Sequence, residues 1–401
     1  MKILIVSQYF WPEEFRINDL AIELKKRGHD VSVLTGNPNY PKGRFYSGYG
    51  VKYIVEFYKG IKIIRVPILP RGKSIFALSL NYISFVISGS LFALFHRTKY
   101  DKIIALNYSP ITAVFPAIVY KKLHKIKLIL WVQDLWPESV RATSKVKSGF
   151  VDKILLAIAR SIFRNSDKIL LSNAGFAESV ITKGGERSKI SYMPNWAEDL
   201  FEDESYVHRE KYRSVLPDGF IVMFAGNIGE AQDFDSIIEA AVLTKHIGRI
   251  KWIIIGEGRK KEWLGREILN RELSSTFFLL GSFPVEEMPS FFIHADLMLA
   301  SLKNEYIFSL TVPGKVQSYM SFGKPIVTML SGAGSKIVTE SNCGFVAEAS
   351  DYYKLADNVI NASLLPKSEL IDLGNNGKKY YNENFAKNIA IDTLLVALNQ
   401  H

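Results

Sequence analysis

The stretch Lys2–Thr35, KILIVSQYFWPEEFRINDLAIELKKRGHDVSVLT, decides how the chain is read. Lys2–Ser7 is an unbroken apolar run, the pattern of a strand buried on both faces. Ile17, Leu20, Ala21 and Leu24 then share one side of a helix over Ile17–Arg27, and Gly28 stands where a C-cap glycine ends it. Val31–Thr35 is the next buried strand. Strand, helix and strand in this spacing make a βαβ unit, so the expected class is α/β with a parallel, doubly wound sheet.

The same alternation runs outward through strands at Lys62–Val66, Lys102–Leu106, Leu128–Val132, Lys168–Leu171 and Ile190–Met193. A second series begins with Phe220–Ala225 (FIVMFA), a glycine turn and a helix over Phe234–Leu243. It continues through Lys251–Ile255, Thr276–Leu280, Leu297–Ala300, Pro325–Met329 and Gly344–Val346. Pro194–Glu204 interrupts the periodicity. Two Rossmann-like domains are therefore expected, 1–195 and 196–385, facing across a cleft. The last segment, 386–401, carries a helix, Ala386–Gln400, that crosses back to the first domain. Ligand belongs at the carboxyl ends of both sheets.

The chain has 401 residues, 48% of them hydrophobic and 22% charged, with Cys343 as its one cysteine. That excludes a disordered chain and a disulfide scaffold, and no Cys/His spacing suits zinc. His29, His208 and His246 lack ligand partners at metal spacing, so no metal site is expected. The opening MKILIVSQYF is too short in its apolar run for a secretory leader, which points to the cytoplasm.

Charge is uneven. Residues 1–195 hold 30 Lys and Arg against 13 Asp and Glu, a net +17, and residues 196–401 hold 20 against 27. The basic half should meet nucleic acid, a phosphorylated substrate or an anionic membrane face. Ser74–His96 has no charged residue and is bracketed by Lys73 and Arg97. It is long enough to span a bilayer, but spanning would divide one sheet between two sides of a membrane. The reading is a helix packed on the first sheet, either lying on the membrane interface or simply buried.

Several residues could carry chemistry. The turn Gly226-Asn227-Ile228-Gly229 follows a strand and precedes a helix, where backbone N–H groups can approach a phosphate. In Ser309-Leu310-Thr311-Val312-Pro313-Gly314-Lys315-Val316, Pro313 and Gly314 start a helix with free N–H groups and Lys315 in its first turn. A cation there opposes the helix dipole, which makes sense opposite a diphosphate, and Lys303 is a second candidate. In the first domain Gln133 and Asp134 end a strand, where a carboxylate could orient an acceptor hydroxyl, take its proton, or cap a helix. Glu13, Glu14, Arg16 and Asn18 lie in the loop after the first strand, and Tyr108 and Ser109 end another strand on the same side. Asp233-Phe234-Asp235 has the DxD spacing of a metal-diphosphate site, but it opens a helix, where capping explains it. No GxSxG or Walker A sequence occurs.

With these motifs assembled, the chain resembles the family-four glycosyltransferases, in particular a bacterial cell-surface polysaccharide branch making O-antigen, capsule or colanic-acid-type polymers. The N-terminal SQYFWPEEFRINDLAIELKKRGHDVSVLTGNPNYP carries the resemblance, with WVQDLWPES, PNW, FAGNIGEAQ, LLGSFP and VPGKVQSYMSFGKPI following in order. It implies the GT-B fold and transfer of a sugar, an N-acetylated or deoxy hexose, from a UDP-linked donor, with retention and without an essential metal or other cofactor. It implies a polyprenyl-diphosphate-linked saccharide as acceptor, and peripheral association with the inner face of the cytoplasmic membrane; no nucleic acid is implied. The family's paired glutamates fall on Leu310 and Ser318, and its Arg and Lys in the glycine turn fall on Asn227 and Gln232. Diphosphate charge would then rest on Lys315, Lys303, Arg16 or backbone amides. The family's catalytic histidine aligns near Gln133 and Asp134, and Phe283 matches the position beside the base. Two rival readings are a UDP-sugar epimerase of the same fold and a non-catalytic nucleotide- or membrane-binding assembly partner.

Overall fold

In the computed structural model, which describes residues 1–72, 74–143 and 149–400, the opening apolar run becomes β1 (Lys2–Val6). It is followed by α1 (Arg16–Lys26), β2 (Asp30–Gly36), β3 (Ile54–Tyr58), β4 (Ile61–Val66) and α2 (Ile75–Phe95). Then come β5 (Lys102–Asn107), α3 (Phe115–His124), β6 (Lys127–Val132), α4 (Glu138–Thr143), β7 (Lys168–Leu171) and β8 (Ile190–Tyr192). These eight strands form one sheet in the order β3-β4-β2-β1-β5-β6-β7-β8. Ile5 lies opposite Val33 on one side and Ile104 on the other, so β1 is central and buried on both faces.

The sheet is parallel except for β3, which pairs antiparallel with β4. Sequence periodicity does not reveal β3. It is an edge strand turned back at Lys59-Gly60, both with positive φ (47° and 76°), the backbone that a two-residue hairpin turn requires. It also brings Glu56 against the guanidinium of Arg65, a fully buried residue whose Nη1 donates to the Gly36 carbonyl at 3.0 Å.

The second sheet contains β9 (Phe220–Ala225), β10 (Ile250–Ile255), β11 (Phe277–Gly281), β12 (Leu297–Ser301), β13 (Ile326–Met329) and β14 (Gly344–Ala347). Its order is β11-β10-β9-β12-β13-β14, all parallel. Successive residues of β9 feed opposite cores: Val222 and Phe224 join Phe234, Trp252 and Ile254 on one face, while Met223 and Ala225 join Ile253, Val316 and Tyr319 on the other. In each sheet the winding direction reverses at the first strand of the series, β1/β5 and β9/β12. A doubly wound sheet opens a ligand crevice at the carboxyl ends of such a pair.

The chain divides into two compact units, Met1–Pro194 with Ile391–His401, and Asn195–Ala390. The end of the helix Lys387–Asn399 is tied into the first unit, where Arg27 Nη1 donates to Asp392 Oδ1 at 2.7 Å. Lys102 Nζ also reaches the Gln400 carbonyl at 3.1 Å.

α2 is the uncharged stretch of the sequence; Lys73, which brackets it, lies outside the described residues. Its buried face is Asn81, Phe85, Gly89 and Ala93. Gly89 sits so close to α3 that a Cβ there would come 2.7 Å from Pro116 Cγ. Asn81 bridges Gln8 Nε2 (2.7 Å) and the Leu69 carbonyl (2.6 Å), which fixes the helix to the loop after β1. By length and composition α2 could cross a membrane, yet one face packs on its own unit and the other is bare.

Candidate active site

In the second unit the glycine turn and the Lys315 helix meet. The helix Gly314–Phe322 starts at Pro313, and the Ala225 N–H donates to the Tyr319 hydroxyl at 3.2 Å, so the helix is pinned to the end of β9. This aims Lys315 at the turn. Its Nζ lies 4.5 Å from the centre of the buried Phe224 ring, and a Cβ on Gly226 would fall 2.5 Å from it. Gly226 also has φ +139° and no room for a side chain, so glycine here makes the space that Lys315 fills. Burial pushes the ammonium down to about 8, and among the described residues no carboxylate opposes that shift. A buried cation without a counter-ion is costly unless a ligand anion completes it.

The turn itself departs from expectation. Three of its four amides are already bonded: Gly226 N–H donates to the Ile255 carbonyl (2.8 Å), Ile228 N–H to the Glu257 carbonyl (2.7 Å) and Gly229 N–H to Gln232 Oε1 (3.2 Å). The loop after β10 causes this. A Cβ on Gly256 would stand 1.8 Å from the Gly226 carbonyl oxygen, so two backbones stack with nothing between. Gln232 is therefore a brace for the turn, whereas Asn227 is exposed on it.

Other second-unit candidates divide. Lys303 stands beside the same turn, its N–H bonded to the Ala231 carbonyl (2.8 Å), but its ammonium is paired with Glu230 at 3.2 Å. Thr311 donates its hydroxyl to the Ile307 carbonyl (2.8 Å), and Val312 packs on the core around Val316 and Tyr319. Ser318, one turn beyond Lys315, has its Oγ 3.2 Å from the Gly314 carbonyl and 3.5 Å from Glu198 Oε2. A carboxylate from the segment after Trp196 thus approaches the helix position where the resemblance places a glutamate. Phe283 packs tilted on Phe291 (ring centres 4.7 Å apart) and edge-to-face with Tyr212 (5.4 Å) beyond β11.

Asp233 occupies the N-cap of the helix Phe234–Thr244, but its side chain accepts no bond from the helix's backbone N–H groups. It has φ +53°, and its Oδ2 accepts from the hydroxyls of Ser236 (2.8 Å) and Ser350 (2.7 Å). Asp235 pairs with Lys260, so the DxD spacing holds loops together. No cluster of three or more His, Cys, Asp or Glu suited to a metal occurs among the described residues.

In the first unit several of the candidate residues hold the fold together. Glu13 is buried, and its Oε1 accepts the N–H groups of Asn39 (2.8 Å) and Tyr40 (2.7 Å). Burial pushes its carboxyl up to about 7. It staples the loops after β1 and β2 rather than facing outward. Asn18, in the first turn of α1, ties down the loop before it, accepting from Trp11 N–H (2.9 Å) and donating to the Glu13 carbonyl (2.7 Å). Asp134 accepts the Ser139 hydroxyl, and burial raises its carboxyl above the ordinary range. Gln133 and Asp134 both donate their N–H to the Asn107 carbonyl, at 3.0 and 3.2 Å, so Asn107 at the end of β5 sets the turn. The acceptor-side candidates Arg16, at the start of α1, and Tyr108, whose ring lies 5.3 Å from Phe15, do come to the same end of the sheet. Glu14 and Ser109 are exposed there.

Two features escape sequence reading. Lys183, buried, closes on Glu138 at the start of α4, with Nζ 2.6 Å from Oε2 and 2.6 Å from Ser179 Oγ. Helical spacing marks Lys183 only as an ordinary end-of-helix lysine. The second is Arg71, in the loop before α2. Its Nη1 donates to the Tyr9 hydroxyl at 3.2 Å, and its guanidinium lies 5.1 Å from the centre of the Tyr40 ring.

Residues 14–196 match the model for a glycosyl transferase 4-like domain and residues 209–380 the model for glycosyl transferases group 1. The chain is 26% identical over 390 residues to the putative colanic acid biosynthesis glycosyl transferase WcaI of Escherichia coli, covering 92% of this chain and 94% of that one. Among solved structures it resembles sucrose-phosphate synthase from Thermosynechococcus elongatus, with TM-score 0.77, 14% identity and 99% and 98% of the two chains covered. It also resembles Anabaena HepE in complex with UDP, with TM-score 0.71, 14% identity and 99% of each chain covered. These are GT-B glycosyltransferases, and the two parallel-sheet units share their fold.

Proposed function

This chain belongs to the family-four glycosyltransferases of the GT-B fold, and from that membership we propose that it moves a hexose from a UDP-sugar to a polyprenyl-diphosphate-linked saccharide in surface polysaccharide assembly. Lys315 is the observation that carries the reading: a cation drawn into the protein against Phe224 and Gly226, with no counter-ion among the described residues. A nucleotide diphosphate supplies that counter-ion. The UDP seen in HepE and the polysaccharide named for WcaI support the same donor and pathway class.

In this mechanism the sugar–phosphate bond breaks and negative charge builds on the departing diphosphate. Lys315 is already in place to stabilise it, in surroundings where charge is weakly screened, and the first-turn N–H groups after Pro313 add to it. Glu198 and Ser318, one turn along, offer oxygens to the ribose hydroxyls. The first unit receives the acceptor. There Asp134 and Gln133, fixed by Asn107 and Ser139, act as positioning residues for the acceptor loop. Anomeric configuration is retained, and lysine and helix dipole do the work of a metal ion. The basic first unit and the bare face of α2 hold the enzyme at the inner leaflet.

The test is transfer by purified protein from a panel of UDP-sugars to polyprenyl-diphosphate-linked saccharides, in the presence of a chelator. Product mass reports transfer and the anomeric proton reports configuration. UDP release or sugar isomerisation with no acceptor product would replace this reading with hydrolysis or epimerisation.

A further inference from the structure

Arg71 presents an unusual combination. Its backbone N–H is held by Asn39 Oδ1 at 2.9 Å, and its side chain rests on the Tyr40 ring and donates to the Tyr9 hydroxyl. Tyr82 of α2 shares hydrogen bonds with Tyr9 and Ser109 and feels the Arg71 charge. Arg71 is thus fixed in a nest of tyrosines at the carboxyl end of the first sheet. A guanidinium has five N–H donors in a planar fork. One goes to Tyr9, and among the described residues no carboxylate forms an ion pair with Arg71. The fork keeps its charge and most of its donors for a planar or tetrahedral oxyanion.

Four residues further on, an apolar surface begins. Ile75 and Phe76 are exposed, Phe76 at 73%, and Ile83, Ile87, Leu91 and Leu94 continue along the same side to Phe95 at 78%. The spacings of seven, four, four and three residues from Phe76 to Leu94 keep them on one face of the helix, opposite Asn81, Phe85, Gly89 and Ala93. A helix of 21 residues runs about 30 Å. An exposed apolar stripe of that length marks a contact surface. Arg97 and Lys99 stand exposed past its end, and the surrounding half of the chain is strongly basic.

We propose that Arg71 and its tyrosine nest seat the phosphate of a polyprenyl-linked acceptor whose membrane leaflet lies along the apolar face of α2. One ligand satisfies both halves: an anionic head at the start of a long hydrocarbon. A water-soluble phosphate would leave the stripe bare, and an uncharged lipid would leave the guanidinium unanswered. The inference rests on the proposed function only for the identity of the lipid; the pairing of cation and stripe is a property of the first unit alone.

Vesicle flotation tests it with three compositions: phosphatidylcholine alone, phosphatidylcholine with a few per cent polyprenyl diphosphate, and phosphatidylcholine with phosphatidylglycerol at matched charge. The full chain should prefer the diphosphate vesicles to the charge-matched ones about tenfold, the scale of charge-assisted hydrogen bonds to a phosphate. Arg71→Met should erase that preference and leave phosphatidylglycerol binding unchanged, while Arg71→Lys keeps part of it. Ile83→Glu with Ile87→Glu should lose binding to both. An unchanged UDP titration and thermal transition in each variant show that the fold is intact. Equal binding of the wild-type chain to the two charged vesicles, or an undiminished preference in Arg71→Met, overturns the assignment. Should transfer to lipid-linked acceptors fail while the Arg71-dependent preference persists, the catalytic reading falls and this one stands. If transfer proceeds and Arg71→Met leaves the KM for lipid acceptor unchanged, the reverse holds.

Discussion

Lys315 beyond β9 and Glu13 beyond β1 are both charged groups drawn inside a unit at the carboxyl end of its sheet, but their surroundings differ. Two backbone N–H groups bond the Glu13 carboxyl, although burial still raises it to about 7, and in the same unit Ser139 serves Asp134 and Lys183 serves Glu138. Among the described residues Lys315 has the face of Phe224, the space that Gly226 leaves and no carboxylate partner. An internal group whose polar atoms the protein itself occupies is architecture. One that it leaves unsolvated stores a cost that a ligand removes on binding. The two sheets therefore share a winding plan but divide the labour, with loop fixation around Glu13 and Asp134 and anion capture at Lys315.

The most severe break in this contrast is Lys315→Met. It should lower kcat by about a thousandfold, as for loss of a preorganised charge at the leaving group. Thermal stability should hold or rise, because a half-buried charge is replaced by an apolar chain of similar length. A loss of both activity and stability would mean that Lys315 is structural. The wild-type site has a pH signature as well. With the free ammonium lowered to about 8, diphosphate must bind with proton uptake above that pH, so nucleotide affinity falls as pH rises through 8. Calorimetry in two buffers of different ionisation enthalpy reads the uptake directly.

Lys183→Met acts on the other side of the comparison. It strands Glu138 partly buried without its cation, and breaking such a pair costs about 4 kcal/mol. The measurement is chemical denaturation, and the folded fraction should keep most of its turnover per molecule.

Much of this was legible in the sequence, and what escaped has physical reasons. Apolar runs and glycine caps located nearly every parallel strand, because a strand buried on both faces leaves no other pattern. Edge strand β3 has one face half-exposed, and its burial alternates, so only its Lys59-Gly60 turn could have marked it. At the site, Pro313-Gly314-Lys315 was readable because helix starts are local chemistry. The hydrogen bonds of Gln232 and Asn18, to a neighbouring amide and a loop carbonyl, were not legible because they are set by loop conformation, which spacing does not encode. Arg71 needed Tyr9, Tyr40 and Tyr82 to be brought together from three loops and helices, and no window of sequence contains that.

Glu13 sharpens the contrast by its titration. Burial raises its carboxyl to about 7, above the ordinary value of 4.5. Between those values the folded chain holds a proton that the unfolded chain has released. The stabilisation is complete below pH 4.5 and is lost as pH rises through 7, by about 3 kcal/mol. Glu13→Gln cannot titrate, so urea midpoints measured across this window should lose that component of their slope.

The smallest effect belongs to Lys303, which tests whether proximity to the glycine turn is enough. Lys303 and Lys315 flank the same turn, but Glu230 already neutralises Lys303 at 3.2 Å, and the pair is solvent-exposed. An exposed, paired lysine has little field left to offer a diphosphate, because any gain must first break the existing pair and is screened by water. Lys303→Met should therefore raise the donor KM less than tenfold and leave kcat near wild type. Glu230→Gln should do the opposite, freeing Lys303 and tightening the donor slightly. If Lys303→Met instead matches Lys315→Met, Glu230 must leave when nucleotide enters, and the difference in counter-ions would not be what separates the two lysines.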